Sequence, residues 1–266
     1  MTNPCDLVLI DTDLETQTTI GTLGHSVEAM AFSPTGELFG SIQPDVCAVH
    51  TSATHLAQID PLTAEVTVIG SFGFRDVDAM AFRPDGTLFG VSAASDELFE
   101  IDISTGAGTA VSSVGSIGFP FLGGIEFLSD SLLVGADMVG GGGGPGTFIT
   151  IDQDTGVGTS VGPINFNSIE GMTFGLDGVL YGLSDTIGGG AGAIVTIDPV
   201  TGIGKQLQPV FSTGDRDGLA ARKLFSPGIG NPVSTPEPGL TMAFVAIAGS
   251  LLAFRQRATP HGVDQN

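Results

Sequence analysis

Four carboxylates occupy the same position in successive copies of a sequence motif. They are Glu28, Asp78, Glu170 and Asp217, and another copy has Gly123 instead. If the copies are arranged around one axis, the four acids form a ring. At separations near ~6 Å and an effective dielectric of about 20, each neighbouring pair would repel by roughly 3 kcal/mol. Such a ring binds a cation, keeps some members protonated, or turns them away from one another.

Calcium is the cation that this set of side chains would suit best. Carboxylate oxygens are hard ligands, no soft ligand lies near them in the motif, and calcium accepts a variable number of oxygens. Two asparagines just ahead of Glu170, Asn165 and Asn167, could add carbonyl oxygens. We therefore predict a calcium site at the ring, with these asparagines as additional ligands. In the alternative, the acids accept backbone N–H groups from neighbouring motifs and hold the fold together.

The sequence offers one weak candidate for a catalytic base. His25 lies three residues before Glu28 and could take a proton at the ring, although an ordinary loop histidine fits the same position. The other histidines, His50, His55 and His261, have no metal-ligand spacing. The chain also lacks the G-x-S-x-G, HExxH and CxxC patterns of common hydrolases and zinc sites. Catalytic residues are therefore unknown apart from His25.

The motif belongs to a repeat of roughly 42 to 50 residues, a period typical of propellers rather than of shorter solenoids. Its first half reads VDAMAFRPDGTLFG from Val77 to Gly90, which is two short apolar stretches around a Pro-Asp-Gly turn. Its second half reads IDQDTGVGTSVG from Ile151. The repeat predicts an all-β fold, a β-propeller of about five four-stranded blades.

One blade is predicted to combine the two ends of the chain. Residues 217–221 match the start of a first half, whereas residues 7–21 supply a second half with no first half before it. Joining them closes the ring and removes exposed sheet edges. The propeller is therefore expected to cover residues 1–228. Six blades are the alternative if further sequence precedes Met1.

Five aspartates stand where a strand ends and a turn begins in the second half of the repeat. An aspartate there can bond to its own backbone two residues further on. We predict that they are turn residues rather than a site. They are Asp11, Asp60, Asp102, Asp152 and Asp198.

The stretch MAFRPDGTLFG, from Met80 to Gly90, and its relatives resemble the repeats of NHL-type and lactonase-type propellers. The resemblance covers most of residues 5–225. It implies the propeller fold, in which the first strand of each blade lines the central channel and places the acidic ring at its mouth. It implies little about activity, because propellers carry unrelated functions.

Composition changes where the propeller is expected to end. Residues 229–238 form a Pro/Gly/Ser-rich linker, which is incompatible with a helix or a central strand. Residues 239–254 contain no charge and are predicted to form a single transmembrane helix, about 24 Å long against about 30 Å for a bilayer core. Local thinning and snorkelling of Arg255 and Arg257 would compensate. Residues 255–266 are expected to form a cytoplasmic tail that begins with basic residues.

The order of Pro236-Glu237-Pro238, an apolar helix, and then Arg255 and Arg257 resembles the PEP-CTERM sorting signal. In that family an exosortase in the inner membrane recognises the signal. The resemblance therefore implies export, removal of the tail, and delivery to the cell surface or an extracellular biofilm matrix. The chain departs from the pattern at Thr235, where Val is usual, and in the nine residues beyond Arg257. The alternative is an ordinary membrane anchor with its arginines on the cytoplasmic side.

Charge and cysteine content limit the partners and the compartment. The 29 acidic and 8 basic residues give a formal charge of −21. This charge disfavours nucleic acid and anionic surfaces and leaves polysaccharides, proteins and cations as partners. Cys5 and Cys47 could pair in an exported protein or stay free. The N-terminal stretch MTNPCDLVLIDTD contains no secretory signal peptide, which conflicts with export unless coding sequence precedes Met1.

These features favour a non-enzymatic, surface- or matrix-associated propeller that binds a polysaccharide or a protein and is delivered by its C-terminal signal. The alternative is a calcium-dependent, lactonase-like hydrolase acting at the central channel. In it, the four ring acids would hold calcium and His25 would take a proton. In a third hypothesis the repeat is a bare scaffold whose acids confer only solubility.

Overall fold

The computed structural model describes residues 5–11, 16–44, 47, 52–111, 116–138, 145–175, 177–184, 192–210, 216–221 and 242–247. Every regular element in these ranges is a β-strand. In chain order the strands are β1 (Asp6–Asp11), β2 (Thr16–Thr22), β3 (Ser26–Phe32), β4 (Leu38–Gln43), β5 (His55–Ile59), β6 (Val66–Ser71), β7 (Val77–Phe82), β8 (Leu88–Ser92), β9 (Glu97–Ile101), β10 (Gly108–Ala110), β11 (Leu122–Ser129), β12 (Leu132–Asp137), β13 (Thr147–Ile151), β14 (Gly158–Pro163), β15 (Ile169–Phe174), β16 (Leu180–Ser184), β17 (Gly192–Ile197), β18 (Gly204–Val210), β19 (Arg216–Ala221) and β20 (Met242–Ile247).

The strands form five antiparallel sheets of four strands each, which are the blades of a propeller. Blades 1 to 4 each use four consecutive strands, from β3–β6 to β15–β18. Blade 5 has the order β19-β20-β1-β2, so it joins the two ends of the chain. The prediction of a split blade is confirmed, and the innermost strands β19 and β3 pack together to close the ring.

Apolar side chains fill each interface between neighbouring blades rather than one central core. Five clusters of buried residues lie around the ring. Between blades 1 and 2, the rings of Phe39 and Phe82 lie 5.5 Å apart, and Phe89 and Phe127 make the matching contact, at 5.3 Å, between blades 2 and 3. Such tilted ring pairs add to the stabilisation that burial alone provides. Stability therefore depends on every blade having two neighbours.

The Pro-Asp-Gly hairpin forms as its residue types predict. Between β7 and β8, the Arg83 N–H donates to the Thr87 carbonyl over 2.8 Å, and the Gly86 N–H donates to the Arg83 carbonyl over 2.9 Å. Gly86 has a φ of +94°, which favours glycine strongly. Arg83 also pairs with the Asp85 carboxylate at 2.7 Å, and their hydrogen bond holds the pKa of Asp85 well below its usual range.

One sequence prediction is corrected by the C-terminal strand. Residues 239–254 were expected to form a transmembrane helix, whereas residues 242–247 form β20 between β19 and β1. The length of the uncharged run favoured a helix, but the split blade lacks a second strand and six residues of the run fill that position. In the part of the chain that the structure describes, no helix is long and apolar enough to cross a membrane. The rest of residues 239–254 lies outside the described ranges.

A disulfide connects blade 5 to blade 1. Cys5, directly before β1, is bonded to Cys47 in the connection between β4 and β5, with their Cα atoms 5.8 Å apart. The sequence left this pairing open. The bond fastens the N-terminal strand of the split blade to the blade that follows it in the ring.

Candidate functional site

The predicted acidic ring lies at the end of the propeller where the first strands of the blades begin, here called the upper face. Glu28 on β3 is buried, with 9% of its surface exposed, whereas Asp78 on β7 and Glu170 on β15 are half-buried. All three take part in polar or electrostatic interactions. Asp217 lies at the equivalent position of β19, and its side chain is outside the described part of the structure.

The axis of the propeller is closed directly beneath these acids. Each first strand places an apolar side chain there, two positions after the ring residue, and none of these side chains is more than 4% exposed. The space that remains at the axis is about 10 Å³, roughly what one water molecule requires. The five plugging side chains are Met30, Met80, Ile125, Met172 and Leu219.

A small residue stands between each ring position and the apolar side chain that closes the axis. These small residues let the first strands approach one another closely. A β-carbon on Gly171 would lie 2.6 Å from the Leu219 amide nitrogen, and one on Gly124 would lie 2.8 Å from the Met172 amide nitrogen. Neither space would accept a side chain without movement of the backbone. The five first strands therefore pack against one another at the axis and leave no open channel between them. The sequence repeat alone did not indicate this.

The structure does not assemble a metal site from the residues it describes. No group of three or more His, Cys, Asp or Glu side chains among them could hold a metal ion. Asn165 and Asn167 are both exposed, on the loop that leads into β15, and the Asn167 carbonyl accepts a hydrogen bond from the Ser184 hydroxyl at 2.8 Å. Because the Asp217 side chain is not described, the calcium site stays a prediction.

His25, the weak candidate for a base, is half-buried and immediately precedes β3. It takes part in an interaction of its own, as Glu28 does. Nothing in the described residues gives His25 a substrate-sized space at the axis, since the cavity there is about 10 Å³. A catalytic role for His25 stays a prediction.

Serines that the sequence analysis did not single out link the strands at the upper face. The Ser41 hydroxyl donates to the Val77 carbonyl of blade 2 over 2.7 Å and accepts the Ala29 N–H over 2.9 Å. Ser92 and Ser184, near the ends of β8 and β16, donate to loop carbonyls ahead of their own blades. The sequence could have indicated these serines, because a serine recurs near the end of several second strands. Their hydrogen bonds connect neighbouring strands and loops at the upper face.

A half-buried carboxyl group lies between blades 3 and 4. Glu126 on β11 stands where blades 1 and 2 have alanine, and its carboxylate accepts the Phe174 N–H of β15 over 3.3 Å and its neighbour's N–H over 2.9 Å. The residue is half-buried, and its carboxylate reaches from blade 3 to the backbone of blade 4. Burial raises the pKa of Glu126 to about 7, against the opposing effect of these hydrogen bonds.

The turn aspartates have the structural role that the sequence predicted. The carboxylate of Asp152 accepts the N–H groups of Asp154 and Thr155 at 3.0 and 2.9 Å, and Asp60, Asp102 and Asp198 do the same in the other blades. These hydrogen bonds lower the pKa values of Asp152 and Asp198, and the Ser104 hydroxyl, followed by the Ser104 N–H, lowers the pKa of Asp102. The side chain of Asp11 lies outside the described residues.

An open depression lies on the lower face, opposite the acidic ring. It occupies about 550 Å³ in blade 1, between the β3–β4 and β5–β6 turns, and this volume is within the range of ligand pockets. Three carboxylates line it, of which Glu37 accepts the Thr35 hydroxyl at 2.7 Å and Asp60 accepts the Leu62 N–H at 2.7 Å. The third is Glu65. The sequence could assign these acids to turns but not place the two turns beside one another.

The predicted sorting motif lies outside the described residues. Pro236, Glu237, Pro238, Arg255 and Arg257 all belong to residues 222–241 or 248–266.

Known structures share the fold, although sequence comparison finds no relative. No family model matches the chain, and neither does any curated protein. A nidogen/laminin complex is similar with a TM-score of 0.53 at 13% identity, over 82% of this chain and 82% of that one. A protein of unknown function from Bacteroides thetaiotaomicron is similar with a TM-score of 0.51 at 14% identity, over 88% and 62%.

Hydrazine synthase of Kuenenia stuttgartiensis gives a TM-score of 0.46 at 22% identity, over 73% of this chain. Our chain spans only 51% of that protein's length, and a score this low supports no further argument. Together with the five blades, the two higher-scoring similarities define the class of the molecule as a β-propeller.

Proposed function

We propose that this protein is an exported, surface- or matrix-associated β-propeller that acts as a binding or structural scaffold. The observation that carries the proposal is the closed axis. Five apolar side chains leave about 10 Å³ beneath the acidic ring, too little for an organic substrate. We therefore propose binding at the outer surface of the propeller.

The charge and shape of that surface favour a neutral or basic partner. With a formal charge of −21, the protein repels anionic partners at long range. The depression in blade 1 has the volume for a few sugar rings or a short peptide segment, and Leu62, 70% exposed, adds apolar contact area at its rim. The similar fold in a nidogen/laminin complex, an assembly of two proteins, agrees with a propeller used for binding.

Two features support export. The Cys5–Cys47 disulfide suits an oxidising compartment, since such bonds are rare in the reducing cytosol. The C-terminal sequence also resembles the PEP-CTERM signal, with Pro236-Glu237-Pro238 ahead of an apolar stretch and Arg255 and Arg257 after it. An exosortase-like enzyme in the inner membrane would then be the processing partner.

The export proposal is tested in a bacterium that has an exosortase. The full chain is produced behind a secretory signal peptide, and its mass and location are followed by cell fractionation and mass spectrometry. We expect loss of the tail and release to the surface, both blocked when Pro236, Glu237 and Pro238 are all changed to alanine. Pro232→Ala, in the same linker, is the matched control and should have no effect. Equal processing of all three chains, or of none, would remove this part of the proposal.

The scaffold proposal is tested with the purified full chain. We expect it to co-sediment with neutral exopolysaccharide or with a basic protein, more weakly when Glu37 and Glu65 are both changed to glutamine. Asp154→Asn, which removes an exposed acid from blade 3, should leave binding unchanged. Saturable hydrolysis of a lactone panel with calcium present, lost in Glu170→Gln, would instead favour the hydrolase.

A further inference from the structure

The C-terminal strand is attached to its blade differently from every other second strand. In blades 1, 2 and 4 the first and second strands are joined by the five residues 33–37, 83–87 and 175–179, and in blade 3 by residues 130–131. In blade 5 the connection from β19 to β20 is residues 222–241, which is 20 residues. A tight hairpin therefore does not determine which chain supplies β20.

The backbone pairing of β20 defines the gap that it fills. Its residues pair with β1 at six positions, from Asp6↔Ile247 to Asp11↔Met242, and with β19 at five positions. Without β20, two strand edges would face each other across the width of one strand. Paired backbone groups on both sides make this gap selective for an extended segment in one register.

We propose that this gap is a strand-binding site that also accepts residues 242–247 of a second copy of the chain, giving a strand-exchanged dimer. Both copies carry the same segment, so exchange preserves every pairing of blade 5. Twenty residues of chain can reach up to about 66 Å. A connection of that length allows β20 to pair within the neighbouring molecule as well as within its own.

The protein concentration determines whether β20 pairs within its own molecule or within a second copy. For a connection of this length, the effective concentration of the chain's own strand at the gap is in the millimolar range. Exchange therefore becomes appreciable when the protein, with β20 still attached, approaches that concentration.

Cysteine trapping in the full chain tests the proposal. Val8 and Val245 are directly opposed in β1 and β20. Opposed residues of antiparallel strands lie about 4.5 to 5.5 Å apart at Cα, which suits a disulfide. One preparation carries Val8→Cys and the other Val245→Cys, and they are mixed at about 1 mM and oxidised. We expect a covalent dimer between the two chains, with light scattering giving a dimer fraction that rises with concentration.

Two variants serve as controls. A single chain with both substitutions should close on itself, which establishes that the pair can bond. In the second control, residues 222–241 are replaced by the Arg83–Thr87 turn of blade 2, so that β20 folds back locally. Mixed single-cysteine chains with this short turn should give at least tenfold less covalent dimer.

Three outcomes would overturn the proposal. In the first, the double variant fails to form its internal disulfide, which would place β20 outside the gap. In the second, the double variant closes but the mixture stays monomeric at every concentration, which would leave the chain's own strand as the occupant of the gap. In the third, the short-turn chains give as much covalent dimer as the original ones, which would indicate random collision. Because the tail is intact and purified here, none of these outcomes depends on whether the export proposal holds.

Discussion

At the scale of single residues, Glu126 is the group whose ionisation should affect folding. Its native pKa is raised to about 7 from 4.5, so between these values the folded chain holds a proton that the unfolded chain has released. Stability contributed by this group is therefore full below about pH 4.5 and falls as the pH rises through 7. A change of this size corresponds to up to about 3 kcal/mol, and less to the extent that solvent reaches the carboxylate.

Glu126→Gln should flatten that dependence, because the amide keeps the shape of the side chain and cannot ionise. Measured by denaturant unfolding from pH 4.5 to 8, the variant should gain about 1 to 3 kcal/mol relative to wild type at the upper end. Glu65→Gln, an exposed acid, corrects for the change in net charge. Parallel pH profiles for wild type and Glu126→Gln would mean that the carboxylate is well solvated.

Alanine substitution of three glycines near the ends of outer strands should lower stability by amounts that follow a definite order. A β-carbon on Gly70 would overlap the Thr105 carbonyl oxygen of the next blade, one on Gly162 would lie 2.7 Å from the Thr201 oxygen, and one on Gly21 would lie 3.0 Å from the Thr63 oxygen. Overpacking of this kind typically costs about 1 to 3 kcal/mol. We expect Gly70→Ala to destabilise most and Gly21→Ala least in denaturant midpoints. Equal effects would show that the turns shift freely.

At the scale of the elements, β20 offers a direct test of how blade 5 is completed. Val245→Pro removes one N–H from a strand that is paired on both sides, so β1 and β19 should lose protection from hydrogen exchange. Asn231→Pro, in the Pro-rich linker, should change nothing. Unchanged exchange in β1 after Val245→Pro would place the C-terminal strand outside the blade.

The repeat predicted most of the elements, and the exceptions have physical causes. Hairpins such as Arg83–Thr87 and the turn at Asp152 follow from local residue types, so their positions could be read directly. The segment 242–247 could not be assigned in this way, because it lies inside an uncharged run of 16 residues, and a run of that length favours a helix. Its place depends on a gap between β19 and β1, and β1 lies more than 200 positions away in the sequence.

The candidate site was predictable only in part. Equivalent positions in the repeat placed Glu28, Asp78 and Glu170 on first strands at one face, as the structure has them. Whether a channel exists beneath them depends on how closely five strands approach. That distance is determined by pairs such as Gly171 against Leu219 and by the methionines at the axis, and the sequence gives no measure of it.

At the scale of the whole molecule, closure of the ring depends on contacts between the two chain ends, and the disulfide secures one of them. The Cys5–Cys47 bond encloses 42 positions of sequence, and a loop of that length stabilises by about 4 kcal/mol in the chain-entropy account. In a domain of this size that corresponds to a loss of roughly 10 °C in melting temperature when the bond is absent. Because the bond joins β1 to blade 1, its loss should loosen blade 5 first.

We therefore expect a Cys5→Ser, Cys47→Ser variant to melt roughly 10 °C below wild type and to exchange amide hydrogens faster in β1 and β2 than in blades 2 and 3. Dithiothreitol should lower the melting temperature of wild type to that of the variant and leave the variant unchanged, which separates the bond from the side chains. A uniform loss of protection around the ring would mean that the blades open together. An unchanged melting temperature would mean that apolar packing of β19 against β3 closes the propeller without help from the disulfide.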